Sequence, residues 1–249
     1  MRVVLTRPEE DAPAWAEALR TAGHQVLELP LIRIAAVADE QPLREAARRA
    51  GGFHALMFVS ANAVRHVAAH LACWPTGVRA WCTGPGTAQA LRQAGVPREL
   101  VDAPAERFDS EGLWELVAPQ ATAGRRVLIV RGADAVGQPA GRDWLAGRLL
   151  AHGALVEEVA AYRRAAPAWT DTQQEAARAA AADGSVWLFS SSEAVRNLLR
   201  LLPAQAWSAA RAVATHERIA QAARGAGFGV VCLSRASREA VSATLESFR

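Results

Sequence analysis

Short apolar runs alternate with amphipathic stretches along the whole chain. The runs Val3–Thr6, Gln25–Leu29 and Ala55–Val59 have the length of strands and little polar alternation inside them. Residues at helical spacing follow the first run in Ala12–Ala22, which Gly23 closes. Strands of this kind joined by helices favour parallel sheets that are covered on both faces.

The same pattern predicts the other elements of the first half. They are helix Leu43–Ala50, helix Ala61–Leu71, strand Val78–Thr83, helix Thr87–Ala94, strand Leu100–Asp102 and helix Ser110–Val117. The pattern then restarts at Arg126. We therefore predict an α/β fold with two flavodoxin-like, doubly wound parallel-sheet domains of five strands each.

The second half of the chain repeats the first. The segment 2–7, RVVLTR, returns at 126–131 as RVLIVR. The clearest match aligns residues 83–95 with 215–227, where seven of the paired positions are identical. A period of this length is the size of a domain, so we interpret the chain as an internal duplication with a groove between two similar domains.

Two segments break the alternation at equivalent places, Ile32–Ala38 and Ala160–Pro167. We expect the chain to cross between the domains there. The boundary could fall near residue 123, which gives one domain per repeat. Alternatively, the first strand-helix-strand of each repeat joins the last three strands of the other. Periodicity does not decide between these arrangements.

The amino-acid composition argues against several classes of function. All 28 basic residues are arginine, which excludes a lysine Schiff base and a phosphate-binding loop that ends in Gly-Lys-Ser/Thr. A net charge of +3 without a long basic run argues against nucleic acid as a partner. No apolar run has membrane-spanning length and the N-terminus does not resemble a signal peptide. Three scattered cysteines suit a cytoplasmic protein, with Cys82 and Cys232 expected in the core.

Candidate ligand-binding residues follow the strands, because open parallel sheets bind ligands at the carboxyl ends of their strands. Helix N-terminal amides and arginines at such an edge suit anions. Ser60 and Ser191 are also good helix caps, and the two roles can coexist. The candidates are Arg7, Ser60, Asn62, Thr83, Gly84, Arg131, Gly132, Ser190, Ser191 and His216.

Two familiar motifs are set aside. The Gly84-Pro85-Gly86 turn resembles a dinucleotide-binding loop, but proline removes an amide donor and the repeat copy lacks both glycines. His66 and His70 have a metal-ligand spacing without a third ligand, so we assign them to a solvated helix face and predict no metal.

Tyr162 is the only tyrosine in the chain. Its repeat partner is Ile32, so the symmetry of the duplication is broken there. It lies in a predicted crossing segment, beside Arg163 and Arg164. A lone tyrosine is more often structural than catalytic, but this position makes Tyr162 a candidate for a catalytic role as well.

Together these motifs resemble the uroporphyrinogen-III synthase family over nearly the full length of the chain. Each motif is weak alone, but their order and spacing are specific. They are residues 4–8 (VLTRP), 58–64 (FVSANAV), 83–88 (TGPGTA), 110–113 (SEGL) and 127–132 (VLIVRG), followed by the spaced positions Leu149, Gly153, Val156, Val159 and Tyr162, and by residues 189–191 (FSS).

The resemblance implies a lyase (hydro-lyase) of porphyrin, tetrapyrrole and heme biosynthesis that needs no cofactor. Such enzymes convert hydroxymethylbilane to uroporphyrinogen III, losing water and inverting ring D, in a cleft between two interleaved domains. For this chain it implies residues 1–34 and 165–249 in one domain, 38–160 in the other, and linker strands at 33–38 and 160–167. It further implies a monomer, with the upstream bilane-forming enzyme as an expected partner.

The family's tyrosine near the linker matches Tyr162. The family's second Gly-x-x-Thr-Ala motif is altered here, because residues 216–220 are HERIA. His216 and Arg218 are therefore the expected substrate contacts at that place. The competing interpretation is a non-catalytic two-domain binding protein for a small polyanionic ligand.

Overall fold

The structure is a computed structural model that describes residues 1–134 and 136–248. The chain divides into two compact units. The first unit combines Met1–Arg33 with Ala165–Arg249, and the second is the continuous segment Ile34–Arg164. Each unit contains one sheet with helices packed on it.

Strands and helices alternate through most of the described chain. The strands are β1 (Arg2–Leu5), β2 (Gln25–Glu28), β3 (Arg33–Ala35), β4 (Ala55–Phe58), β5 (Arg79–Cys82), β6 (Val101–Asp102), β7 (Arg126–Ala133), β8 (Pro139–Ala140), β9 (Leu155–Ala165), β10 (Val186–Phe189), β11 (Arg211–Ala214) and β12 (Val230–Leu233). The helices are α1 (Ala12–Thr21), α2 (Gln41–Arg48), α3 (Ala61–Ala68), α4 (Pro85–Gln93), α5 (Ser110–Val117), α6 (Trp144–Ala151), α7 (Asp171–Ala180), α8 (Ser192–Leu201), α9 (Glu217–Gly225) and α10 (Arg238–Glu246).

The sheet of the first unit has the strand order β12-β11-β10-β1-β2, and all neighbouring pairs are parallel. Counted along this unit's own chain, the order across the sheet is 2-1-3-4-5, which is the flavodoxin-like order. The strands β1 and β10 are central, and their side chains are almost all buried.

The sheet of the second unit contains seven strands in the order β3-β9-β7-β4-β5-β6, with β8 paired antiparallel to β7. Its five parallel strands lie in the order β9-β7-β4-β5-β6. When strands at equivalent places of the two repeats are matched, this order corresponds to β2-β1-β10-β11-β12 of the first unit. The prediction of five strands per domain is wrong here. The two extra strands, β3 and β8, are short edge additions without an apolar run, so the hydrophobic pattern does not show them.

Helices cover both faces of the second sheet. Along β4, Leu56 and Phe58 join a core with α2, α3 and α4, whereas Ala55 and Met57 join a core with α5 and α6. Successive side chains of a strand point to opposite faces, so an apolar run of this kind serves two cores. This explains why β4 shows no polar alternation.

The first unit is built in the same way. Val3 and Leu5 pack with residues of α1 and α10 on one face of the sheet. On β10, Trp187 stacks with Phe189, and both form edge-to-face pairs with Phe228. Such aromatic pairs add to the stability that comes from burial alone.

The two cysteines that were predicted to lie in the core differ in burial. Cys82 is fully buried, as predicted, but Cys232 is only half-buried, because β12 is an edge strand. Within the described residues, no helix combines the length and apolar character needed to cross a membrane.

Candidate active site

Tyr162 lies on β9 of the second unit, next to a bulge in the pairing of β9 with β7. Arg131 is opposite Ala160, but Gly132 is opposite Tyr162, so one extra residue, Ala161, is accommodated between them. A bulge of this kind re-aims the side chain that follows it. Tyr162 is only 2% exposed, so its hydroxyl must become accessible before it can contact a substrate.

The Tyr162 hydroxyl is held by Ser60, which begins α3. A hydrogen bond of 3.0 Å joins the Tyr162 hydroxyl to Ser60 Oγ. The same oxygen accepts a hydrogen bond from the backbone N–H of Ala63 at 3.2 Å, which caps the helix. Ser60 therefore caps α3 and contacts the Tyr162 hydroxyl with the same oxygen.

Gly132 lets β7 approach the tyrosine ring closely. A β-carbon at residue 132 would lie 3.1 Å from Tyr162 Cζ and 3.3 Å from Tyr162 Oη. These distances are tighter than ordinary contacts, so a larger residue at 132 would displace the ring. Gly132 thus positions Tyr162 by having no side chain.

A cavity of about 280 Å³ opens at the carboxyl ends of β4, β5 and β7, the edge at which the sequence placed the site. Its wall contains two of the predicted residues, Thr83 and Arg131. It is lined by Met57, Val59, Thr83, Asp109, Ser110, Ile129, Arg131, Ala140, Gly141, Arg142 and Leu145. The lining thus combines apolar with polar and charged side chains.

Arg131 is a buried cation, with 2% of its surface exposed. Its Nη1 lies 2.8 Å from an oxygen of Asp143 and 3.4 Å from one of Glu158. Its Nε is buried and has no hydrogen-bond partner among the residues that the structure describes. A buried guanidinium with an unused donor can take a further acceptor, for example an oxygen of a ligand carboxylate.

The cavity wall also carries negative charge. The Asp109 carboxylate accepts a hydrogen bond from the backbone N–H of Gly112 at 2.8 Å, and this bond, aided by Arg107, lowers the pKa of Asp109. Arg142 is paired with Glu111. The wall is therefore mixed in charge, with Arg131 as its buried cation.

In the first unit, His216 lines an open cavity of about 670 Å³ with Thr215, Glu217, Ser234 and Arg235. The Nδ1 atom of His216 accepts a hydrogen bond from the backbone N–H of Arg218 at 3.1 Å, so the imidazole caps α9. Arg218 itself is exposed and does not line this cavity.

The other predicted residues of the first unit are dispersed. The Arg7 guanidinium lies 4.1 Å from the centre of the Trp15 ring, and burial lowers the pKa of Arg7. Ser191 caps α8 by accepting from the N–H of Glu193 at 3.1 Å. Ser190 is half-buried beside it.

Two predicted residues of the second unit have local roles. Asn62 is 7% exposed, and its side-chain oxygen accepts a hydrogen bond from Arg65 at 2.6 Å. Gly84 is the residue before α4, and Pro85 is the first residue of that helix. The turn therefore starts a helix with a proline, as the rejection of a dinucleotide loop assumed.

The assignment of His66 to a solvated helix face is wrong. His66 is half-buried, and its ring stacks on Tyr162 with the centroids 6.0 Å apart. The signal in the sequence was its spacing from Ala63, because residues three apart on a helix share a face. Among the described residues, no group of three or more His, Cys, Asp or Glu could hold a metal ion.

Comparison with known proteins identifies the family to which this chain belongs. A family model described as uroporphyrinogen-III synthase HemD matches residues 13–242. A uroporphyrinogen-III synthase of Synechococcus elongatus is 33% identical over 218 residues, which cover 83% of this chain and 78% of that protein. A uroporphyrinogen-III synthase of Escherichia coli is 29% identical over 236 residues, which cover 92% of each.

Solved structures agree on the fold. The crystal structure of uroporphyrinogen-III synthetase from Helicobacter pylori superposes with a TM-score of 0.63 at 19% identity and covers 100% of both chains. A mutant uroporphyrinogen III synthase from Thermus thermophilus gives a TM-score of 0.51 at 17% identity, covering 100% of this chain and 97% of that one. From the family model and the relatives together, this chain belongs to the uroporphyrinogen-III synthase family.

Proposed function

We propose that this chain is a lyase that cyclises hydroxymethylbilane to uroporphyrinogen III, with loss of water and inversion of ring D, and that Tyr162 assists the departure of the hydroxyl group. Membership in the family supports the reaction. The observation that carries the role of Tyr162 is its hydrogen bond with Ser60, which fixes the position of the phenol oxygen.

The proposed reaction needs only limited acid–base catalysis. The carbon–oxygen bond of the hydroxymethyl group breaks, and a proton from Tyr162 converts the departing hydroxide to water. The remaining cationic azafulvene is attacked by the far pyrrole ring, which forms a spiro intermediate on the way to the inverted macrocycle. The bilane also closes without help to the wrong isomer, so the protein must chiefly hold a conformation.

The substrate carries eight carboxylates, which suit the cationic and hydroxyl groups at the carboxyl ends of the strands. In the second unit we assign Thr83 and Arg131 to substrate binding, because both line one cavity and Arg131 has an unused donor. Ser60 and Gly132 act by holding Tyr162. Asn62 and Gly84 are assigned to the same edge, with Arg7, Ser190, Ser191, His216 and Arg218 at the corresponding edge of the first unit.

We further propose that the protein works as a cytoplasmic monomer. The three free, scattered cysteines support a reducing compartment. Because hydroxymethylbilane closes spontaneously, direct transfer from the bilane-forming enzyme would protect it. Sedimentation of the chain alone and mixed with that enzyme tests both the monomer and the partner.

The test of the catalytic role is Tyr162→Phe, which keeps the ring and removes only the hydroxyl. General-acid assistance contributes roughly 10²–10⁴-fold to a rate. We expect a loss of kcat near the lower end of that range, because the orienting contacts remain and still direct some type III product. The measurement is the rate of type III formation, with the two isomers separated.

The comparison variant is Thr83→Val, which removes one hydroxyl from the cavity wall at similar volume. Its loss should be smaller, because binding is shared among many contacts. If folded Tyr162→Phe protein forms the type III isomer at the wild-type rate, Tyr162 is structural and the proposed role is wrong.

A further inference from the structure

We infer that His66 is a positioning residue for Tyr162, fixing the plane of the phenol ring so that its hydroxyl points to the reacting group. This inference rests on the proposed role of Tyr162 and adds a residue to it. The imidazole of His66 and the ring of Tyr162 stack with centroids 6.0 Å apart and an angle of 27° between their planes.

One helix presents both contacts to Tyr162. Ser60 is the residue before α3, and His66 lies within that helix. Ser60 holds the hydroxyl oxygen at 3.0 Å, and His66 contacts the ring. Since α3 is packed into the core through Ala63, Val64 and Val67, the backbone that carries both side chains is held in place.

The two contacts constrain different motions. A hydrogen bond to the oxygen fixes a distance, but the phenol can still tilt about that point. A ring stacked on the phenol limits the tilt, and Gly132 on β7 leaves too little room for the ring to move toward that strand. Three residues on two elements, α3 and β7, therefore hold the position and the plane of the phenol ring together, which is the support a catalytic group requires.

The chain offers a matched control in His70. His70 follows α3 by two residues and is also half-buried. Its Nε2 lies 4.0 Å from a carboxylate oxygen of Glu40, which is also paired with Arg44 at 2.8 Å. Replacing His70 removes a nearby imidazole from the same region without removing the stack on Tyr162.

The first measurement does not depend on activity. Because Tyr162 is the only tyrosine, ring-labelled tyrosine gives nuclear magnetic resonance signals from this residue alone. His66→Ala should shift these ring signals and speed the flipping of the ring. His66→Phe should restore slow flipping, because it replaces one flat ring by another, and His70→Ala should leave the signals in place.

The second measurement is kinetic. His66→Ala should lower kcat for type III formation roughly 10-fold with KM nearly unchanged, since a small misplacement of a catalytic group is costly. His66→Phe should recover most of kcat, and His70→Ala should stay near the wild-type rate. In a Tyr162→Phe background, His66→Ala should cost little more, because the hydroxyl that His66 positions is already absent.

Several outcomes would overturn the inference while leaving Tyr162 catalytic. They are unchanged ring signals in His66→Ala, an effect that appears as a higher KM instead of a lower kcat, and a loss in the double variant equal to the product of the single losses. A wild-type rate in Tyr162→Phe alone would instead remove the proposed role of Tyr162, and the two failures are thereby told apart.

Discussion

Position 162 differs in chemistry from its repeat partner. Ile32, the partner residue, is a buried apolar side chain of the first unit. Tyr162 is equally buried but carries a hydroxyl that is bonded to Ser60. Burying a hydroxyl is tolerated only when it has a partner. The polar pairing at this position thus exists in one copy of the duplication, which is consistent with the role proposed for Tyr162.

Ionisation of the buried Cys82 thiol should make the stability of the protein depend on pH. Burial raises the pKa of the Cys82 thiol from 9.0 to about 11. The folded state therefore holds this proton more tightly than the unfolded state, so its contribution to stability is complete below pH 9 and is lost as the pH rises toward 11. A shift of that size corresponds to roughly 3 kcal/mol.

The measurement is the free energy of unfolding of the wild type and of Cys82→Ala between about pH 8 and 11, the range over which the thiol titrates. The wild type should lose stability over this range more steeply than Cys82→Ala, which has no thiol to ionise. Equal slopes would show that the thiol is not shielded from water as the structure indicates.

The candidate site residues could be assigned to an edge of a sheet from the sequence. Their exposure could not be predicted in this way. Arg131 was predicted from its position after a strand, and the structure places it in a cavity wall at the carboxyl end of β7. Its burial and its two acidic neighbours depend on the start of α6 and on β9, which are distant in sequence. The stacking of His66 on Tyr162 depends in the same way on packing between α3 and β9.

At the scale of elements, the start of α5 is fixed by close packing. A β-carbon at Gly112 would lie 2.1 Å from the backbone oxygen of Arg107, which a flexible side chain cannot relieve. Asp109 caps this helix and lines the cavity of the second unit. The glycine in this motif is therefore a packing requirement of the helix that borders the cavity.

Gly112→Ala should destabilise the protein by about 1–3 kcal/mol, because the chain before α5 has to shift. The matched control is Gly86→Ala in the first turn of α4, where a β-carbon meets nothing within 4 Å. That change should be neutral or stabilise by up to about 1 kcal/mol. Thermal unfolding of both variants tests this, and equal behaviour of the two would contradict the packing account.

Elements with long apolar runs could be predicted closely, and short ones could not. The predicted helix Ser110–Val117 matches α5 at both ends, and the predicted strand Ala55–Val59 differs from β4 by one residue. The strand β8 has only two residues and pairs with the end of β7. Such a strand is stabilised by its partner and leaves no periodic signal of its own.

At the scale of the whole chain, the same strand order is built twice from different segments. The first sheet combines β1 and β2 with β10, β11 and β12. The parallel strands of the second sheet combine β7 and β9 with β4, β5 and β6. Periodicity left two arrangements open because either one gives each sheet an equivalent set of strands. Only the pairing of distant strands, such as β1 with β10, distinguishes them.

The measurement that tests the central claim most directly is an isomer analysis with the purified chain. Hydroxymethylbilane is supplied in excess, the products are oxidised, and the type I and type III isomers are separated. We predict mainly the type III isomer, at a rate proportional to protein concentration, with no added cofactor. Type I product alone, formed at the spontaneous rate while the protein binds the bilane, would contradict the claim and indicate a polyanion-binding protein instead.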